Sequence, residues 1–133
     1  MKRNAKITIH GKDAAFVVRG TWERTAEGWR LAYDEPDASE MGAVRTELSL
    51  TDAGATLTRT GAVRSAFRFA EGAPHSSVYE TRYGSFPAEV ETHALRAKLG
   101  EDGGLIEIRY RLTIGGAADG YRLKILVRTE EEA

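Results

Sequence analysis

The sequence contains no cysteine, only three prolines and no apolar run approaching the roughly 20 residues that cross a membrane. The absence of cysteine excludes disulfides, thiolate metal sites and thiol nucleophiles. The 19 Lys and Arg residues nearly balance the 20 Asp and Glu residues, so the net charge creates no long-range field that would collect polyanions. We therefore expect neither nucleic acid nor a membrane as a partner.

A chain of 133 residues is long enough for one domain, which we expect to span residues 1–133. Such a domain buries roughly two thirds of the surface that its unfolded chain exposes. The first ten residues are basic but lack the apolar core of a signal peptide. The simplest expectation is a cytoplasmic protein.

Apolar and polar residues alternate along most of the chain, which is the signature of strands with one buried and one solvated face. Near the C-terminus, for example, Ile106, Ile108 and Leu112 alternate with Glu107 and Arg111. Short glycine-rich breakers separate these runs and leave no room for crossover helices. We predict an all-β fold, a closed antiparallel up-and-down β-barrel of about 8–10 strands, because closure removes exposed strand edges. A two-sheet sandwich is the alternative.

The length of a hairpin loop sets which residues of its two strands face one another. If residues 84–87 form a four-residue loop, Thr81 pairs with Val90 on the apolar face of the following strand. This register predicts that Tyr79, Thr81 and Tyr83 point into the barrel. The charged residues between them would then point to water.

A second hairpin places an arginine inside the barrel. If residues 60–62 form a three-residue loop, Arg59 pairs with Val63 and Leu57 pairs with Ser65, so that Leu57 joins an apolar face. The consequence is that Arg59 also faces inward. A two-residue loop would put Arg59 on the solvated face and is less favourable, because it places Leu57 there as well.

The strand that begins near residue 88 changes phase along its length. Its inward positions are even-numbered at Val90 and Thr92 but odd-numbered at Leu95 and Leu99. This shift predicts a β-bulge at residues 93–95, of the kind that lets a barrel strand bend.

Six segments occur in an order and spacing that resemble those of the YwiB-like family of uncharacterised bacterial proteins: KITI, WRLAYDE, TLTRTG, FRFAEG, VYETRYGSF and IEIRYRLTI. The resemblance implies a small closed antiparallel barrel, of the calycin-like or lipocalin-like kind, in a cytosolic bacterial protein. It implies no activity. The family's characteristic positions correspond to Tyr33, Glu35, Arg59, Gly61, Phe69, Gly72, Tyr79, Thr81, Tyr83, Gly84, Thr92 and Tyr110. Asp34 departs mildly from the family's tendency toward glutamate there.

An inward arginine surrounded by hydroxyl groups would form a candidate ligand site in the barrel lumen, where charge-assisted hydrogen bonds can hold a carboxylate or phosphate. The alternative is a structural network in which Glu35, Glu80 or backbone carbonyls neutralise the arginine and nothing binds, since a buried charge needs a partner. The candidate site residues are Arg59, Tyr79, Thr81, Tyr83 and Tyr110.

Other motifs point to ordinary structure. The aromatic residues of the early strands, among them Trp22 and Trp29, can line an apolar lumen but are more simply core. His10, His75 and His93 lack metal-ligand spacing, so we expect no metal and no cofactor. The sequence has no nucleophile elbow, phosphate loop or nucleotide fingerprint, and we assign no catalytic residue.

The sequence therefore favours a non-catalytic barrel that binds or senses a small amphipathic or anionic ligand in its lumen. The alternative is a filled barrel that acts as a structural or protein-interaction module. An enzyme is the third hypothesis.

Overall fold

The computed structural model describes residues 2–11, 15–35 and 43–130, which form ten β-strands in one sheet. The strands are β1 (Lys2–His10), β2 (Ala15–Arg24), β3 (Gly28–Asp34), β4 (Val44–Thr51), β5 (Gly54–Gly61), β6 (Ser65–Phe69), β7 (His75–Thr81), β8 (Gly84–Gly100), β9 (Gly103–Ile114) and β10 (Ala117–Thr129). Their order across the sheet is β6-β5-β4-β3-β2-β1-β10-β9-β8-β7, and every ladder is antiparallel. The predicted all-β, up-and-down architecture is confirmed.

The two ends of the sheet, β6 and β7, meet and nearly close the barrel. Arg64 and Glu80 exchange two backbone hydrogen bonds of 2.9 Å across this seam. The Ser77 hydroxyl also donates to the Ala66 carbonyl at 2.7 Å. Closure of this kind satisfies strand edges that an open ten-stranded sheet would expose.

Side chains from all parts of the sheet fill the interior of the barrel, because alternate residues of each strand point inward. The largest fully buried ones are Trp22, Phe69, Ile7, Leu31, Leu48, Ile106, Ile108, Ile125, Val90 and Thr46. The interior of the barrel is therefore a hydrophobic core.

The β7–β8 hairpin has a shorter turn than the sequence predicts. Thr81 pairs with Gly84, so that Arg82 and Tyr83 form a two-residue turn. The residues of the predicted loop, 84–87, belong to strand β8. Proline has no amide hydrogen to donate to a neighbouring strand. Pro87 is nevertheless tolerated in β8, because the pairing of β8 with β9 begins only at Ala88 and β9 needs no hydrogen bond from Pro87. The predicted pairing between β7 and β8 is therefore wrong. The predicted inward face of β7 is right, because the pairing is shifted by an even number of residues.

The β5–β6 hairpin shows the same kind of error. Arg59 pairs with Ser65 and Leu57 with Phe67, so the connection is two residues longer than predicted. The even shift again preserves the faces, and Arg59 does lie on the inward side opposite buried Thr46. The predicted bulge is confirmed, since the β8–β9 register shifts between Thr92 and Ala94.

Candidate functional site

A half-buried ion pair joins Arg59 to Glu35, the residue that follows β3. Arg59 on β5 donates from Nε to Glu35 Oε2 at 2.9 Å and from Nη2 to Glu35 Oε1 at 3.0 Å. The Thr46 hydroxyl donates to Glu35 Oε2 at 2.9 Å. The side chains of Arg59 and Glu35 are only 26% and 24% exposed. The two hydrogen bonds to the Glu35 carboxylate neutralise the charge of Arg59 within the protein. Neutralisation by Glu35 was one of the alternatives that the sequence left open.

Tyr33 lies beside this pair on β3, directly opposite Thr46. Burial, reinforced by the negative charge of Glu35, raises the pKa of Tyr33 from 10 to about 12, although Arg59 and a hydrogen bond with Thr46 act in the opposite direction. Tyr33 is therefore a neutral hydroxyl at neutral pH. We call Arg59, Glu35, Thr46 and Tyr33 the polar cluster.

Three aromatic rings, one of them near Arg59, form a series that begins at buried Phe69. The Phe69 and Tyr110 rings are 4.8 Å apart, and Tyr110 stacks on Tyr121 at 5.5 Å with an interplanar angle of 16°. Burial and the neighbouring Tyr121 raise the pKa of Tyr110 from 10 to about 12, and the positive charge of Arg59 opposes this shift. Tyr110 thus lies between the Phe69 and Tyr121 rings and within electrostatic reach of Arg59.

The two raised pKa values predict alkaline lability. A tyrosine whose pKa is higher in the folded state stabilises the fold fully below the unfolded pKa of about 10 and loses that contribution as pH rises through about 12. Between neutral and strongly alkaline pH, we expect the free energy of unfolding to fall by about 2–3 kcal/mol less in Tyr33→Phe than in the wild type. Urea unfolding followed by circular dichroism at neutral and alkaline pH measures it. A pH profile of Tyr33→Phe that is the same as that of the wild type would contradict the assignment.

The structure separates the predicted site residues. Arg59 and Tyr110 lie close enough to interact electrostatically. Tyr79 is half-buried and packs against the core from β7. Thr81 uses its hydroxyl to accept a hydrogen bond from the Tyr83 amide at 3.0 Å, which stabilises the turn.

The inward position predicted for Tyr83 is wrong. Tyr83 lies in the β7–β8 turn and is 69% exposed. Its hydroxyl accepts a hydrogen bond from Arg82 at 2.7 Å, and the Arg82 guanidinium lies 4.9 Å from the ring centroid. The error follows from the loop length, because a four-residue loop at 84–87 would have kept Tyr83 in the strand.

An open groove of about 890 Å³ lies where β9 and β10 extend past the end of β1. Strand β1 ends at His10, opposite Lys124, so β10 before that residue pairs with β9 alone among the described residues. The groove follows this part of β10, and side chains from both faces of the hairpin line it. We call it the basic groove, after His10, His93, Arg109, Arg111, Arg122 and Lys124.

Within the described part of the chain, no ion pair neutralises the arginines or the lysine of the basic groove. Glu91 and Glu107 face Arg111 and Lys124 across neighbouring strands. Even so, the ion pairs formed within residues 2–11, 15–35 and 43–130 involve none of the groove's three arginines or Lys124. Asp119 is the carboxylate in the groove lining, together with the rings of Tyr110 and Tyr121. The groove therefore carries local positive charge in a chain whose total charge is near zero.

Sequence reasoning missed this groove, although a signal was present. Arg109 and Arg111 alternate on one strand, Arg122 and Lys124 alternate on the next, and only a short glycine-containing turn separates the strands. Antiparallel pairing necessarily brings such residues onto one surface. Because positive and negative residues nearly balance over the whole chain, the total charge does not indicate this local excess of positive charge.

Two further features bear on the site's chemistry. Across the described part of the chain, no three His, Asp or Glu side chains are grouped so that they could hold a metal ion. His10 and His93 border the basic groove, whereas His75 lies on β7 opposite Val90. The described residues include no helix with the length and apolar character needed to span a membrane.

Comparisons with known proteins agree with the sequence motifs. The family model for DUF1934, a domain of unknown function, matches residues 2–125. The uncharacterized beta-barrel protein YwiB of Bacillus subtilis (strain 168) is 29% identical over 125 residues, which cover 86% of this chain and 87% of that protein. The crystal structure of the ywiB protein from Bacillus subtilis matches with a TM-score of 0.80 at 22% identity, over 98% of this chain and 91% of the other.

These matches cover nearly the whole chain and describe proteins to which no activity is attached. The structural match shows a shared β-barrel fold, and the family match confirms the resemblance that the motifs predicted. The chain belongs to the DUF1934 family of domains of unknown function.

Proposed function

We propose that this protein is a non-catalytic binding protein for a small anionic ligand, and that the ligand occupies the basic groove at the end of the barrel. The observation that carries the proposal is the set of four cations, Arg109, Arg111, Arg122 and Lys124, around one groove without an ion-pair partner among the described residues. Guanidinium groups that are not already paired are well suited to bind carboxylates or phosphates.

This proposal moves the ligand from the lumen to the rim of the barrel. The interior is filled by side chains such as Trp22 and Phe69. Both Nε and Nη2 of Arg59 already donate to Glu35, so a ligand in the lumen would have to displace that carboxylate. Tyr110 alone among the candidate site residues also lines the basic groove.

A second candidate function is a protein-interaction module. The filled interior favours it, and so do two exposed apolar side chains on the outer face of the barrel. Val17 and Leu126 are both paired with Thr8, on either side of β1, and both are exposed. Two side chains make a small patch compared with those that mark interaction sites, so anion binding is the better supported function.

Isothermal titration calorimetry with pyrophosphate at low ionic strength tests the proposed function. We expect wild-type protein to bind, and the double variant Arg109→Gln/Arg122→Gln to bind at least about tenfold more weakly, because each lost contact is a charge-assisted hydrogen bond. Binding should also weaken as salt is added, since the groove is open to solvent.

The matched control is Arg128→Gln, which removes an exposed arginine from the same strand, opposite Lys6 and outside the groove. This variant should keep the wild-type affinity. Equal losses in the control and the double variant would indicate a general charge effect and would contradict a site in the groove. Failure of the wild type to bind pyrophosphate would remove the proposal itself.

A further inference from the structure

We propose that the outer face of the barrel around β1 and β10 is a docking site for an acidic amphipathic helix of a partner protein. The docking site is distinct from the basic groove, with which it shares only Lys124. It gives a chemical class to the partner in the second candidate function. Two features of this face carry the proposal: a row of exposed aliphatic side chains that crosses four strands, and cationic side chains on both sides of that row.

The row runs across the outside of the sheet from β2 to β9. Its members are successive cross-strand neighbours: Val17, Thr8, Leu126 and Leu105. They point outward, because the residues next to them along β1 and β10 are buried in the core. Val17 is 56% exposed and Leu126 is 50% exposed. Neighbouring strands are about 4.8 Å apart, so the row is about 14 Å long. We call these four residues the aliphatic row.

Cations lie on one side of the aliphatic row, two residues away along the strands. Lys6 on β1 has Arg128 of β10 and Arg19 of β2 as its two cross-strand partners. Arg19 forms an ion pair with Glu130 at 3.5 Å. Within the residues that the structure describes, no ion pair engages Lys6 or Arg128. Their charges are therefore available to a carboxylate of a partner.

The opposite side of the aliphatic row is also basic. Lys124 lies two residues from Leu126 on β10, and Arg96 of β8 lies beyond Glu107 in the same cross-strand series. Lys124 and Arg96 are both exposed, and neither takes part in an ion pair in the described part of the chain. Glu107 makes this side less positive than the other. A partner with acidic residues on both sides of an apolar stripe would complement the whole face.

The form of this face suits a helix better than a membrane. Lysine and arginine side chains are longer than those of valine and leucine, so the aliphatic row is the floor of a shallow trough with cationic sides. The two sides are about 14 Å apart, since each lies two residues from the row. A helix about 10–12 Å in diameter fits between them, with its apolar stripe on the row and its carboxylates at the sides. The longer cationic side chains would instead hold a broad lipid surface away from the row.

Fluorescence anisotropy with a labelled synthetic peptide tests the proposal on the full-length protein. The probe is a helical peptide of about 15 residues in which glutamates flank a leucine stripe on both sides. Its control has lysine in place of every glutamate. We expect the acidic peptide to bind at least about tenfold more tightly than the basic one, because only the acidic peptide complements the cations. Equal binding of the two peptides, or no binding of the acidic one, would overturn the proposal and leave anion binding in the basic groove standing.

Substitutions on the face locate the peptide. Leu126→Ser should weaken binding of the acidic peptide about tenfold, since it removes apolar contact area from the centre of the row. Lys6→Gln/Arg128→Gln should weaken it several-fold. The matched control is Val78→Ser, because Val78 is also 50% exposed but lies on β7. Circular dichroism spectra establish that the variants fold. A loss in Val78→Ser as large as that in Leu126→Ser would overturn the placement of the helix on this face.

Sedimentation with vesicles of phosphatidylcholine and phosphatidylserine separates a partner helix from a membrane. We expect the protein to stay in the supernatant. Sedimentation of the wild type with these vesicles, together with its loss in Leu126→Ser, would assign the face to an anionic membrane and would overturn the proposal.

Discussion

Replacing Glu35 with leucine should lower the free energy of unfolding by about 2–3 kcal/mol. The substitution leaves the Arg59 guanidinium in a mostly buried position without its bidentate partner. Breaking a fully buried pair costs about 3–5 kcal/mol, and the smaller value expected here reflects the quarter of each side chain that solvent reaches. Urea unfolding followed by circular dichroism measures the change.

The double variant Glu35→Leu/Arg59→Leu should recover most of this loss, because no uncompensated charge remains. The neighbouring pair of Asp34 and Arg45 is a matched control, since its side chains are 80% and 48% exposed. Asp34→Ala should cost less than about 1 kcal/mol. A double variant no more stable than Glu35→Leu would contradict the view that Glu35 serves to neutralise Arg59.

Replacing Trp22 with alanine should have a still larger effect, about 3–5 kcal/mol. Trp22 is 1% exposed and stacks on Trp29 with ring centroids 5.0 Å apart. Its Nε1 donates to the Gly100 carbonyl at 2.8 Å, which ties β2 to the end of β8. The substitution would open a large cavity and would leave that carbonyl without this donor.

Trp29→Ala is the matched control, because Trp29 lies on the half-buried side of the same stack, beneath the Arg24 guanidinium. It should cost about 1–2 kcal/mol, since less apolar surface is lost. Trp22→Phe should fall between the two. The same denaturation measurements rank all three variants, and a cost for Trp22→Ala no greater than that for Trp29→Ala would show that the stack does not anchor this end of the barrel.

The sequence predicted the architecture because strands with one buried face impose a period of two on the residues. It also located the bulge between Thr92 and Ala94, where the period changes phase. The two hairpin registers were wrong by an even number of residues. The alternation of apolar and polar residues decides which face of the sheet a residue occupies, whereas its cross-strand partner depends on the length of the turn. Arg82 and Tyr83 carry no strong turn signal.

The candidate site was only partly predictable for related reasons. An inward Arg59 follows from the face of β5, and Glu35 was one of two predicted counterions. The contact itself joins residues 24 positions apart, which no local pattern specifies. The position of the basic groove depends on where β1 ends relative to β10. The alternation of apolar and polar residues alone does not determine these strand lengths.

The proposed anion site in the basic groove, rather than in the lumen, can be mapped residue by residue. A titration of ¹⁵N-labelled protein with pyrophosphate, followed in two-dimensional NMR spectra, provides this map. We expect the largest changes in amide chemical shift at residues 109–111, 118–122 and 124, which line the groove. Changes concentrated instead at Glu35, Thr46 and Arg59 would place the anion in the polar cluster and would contradict a site in the basic groove.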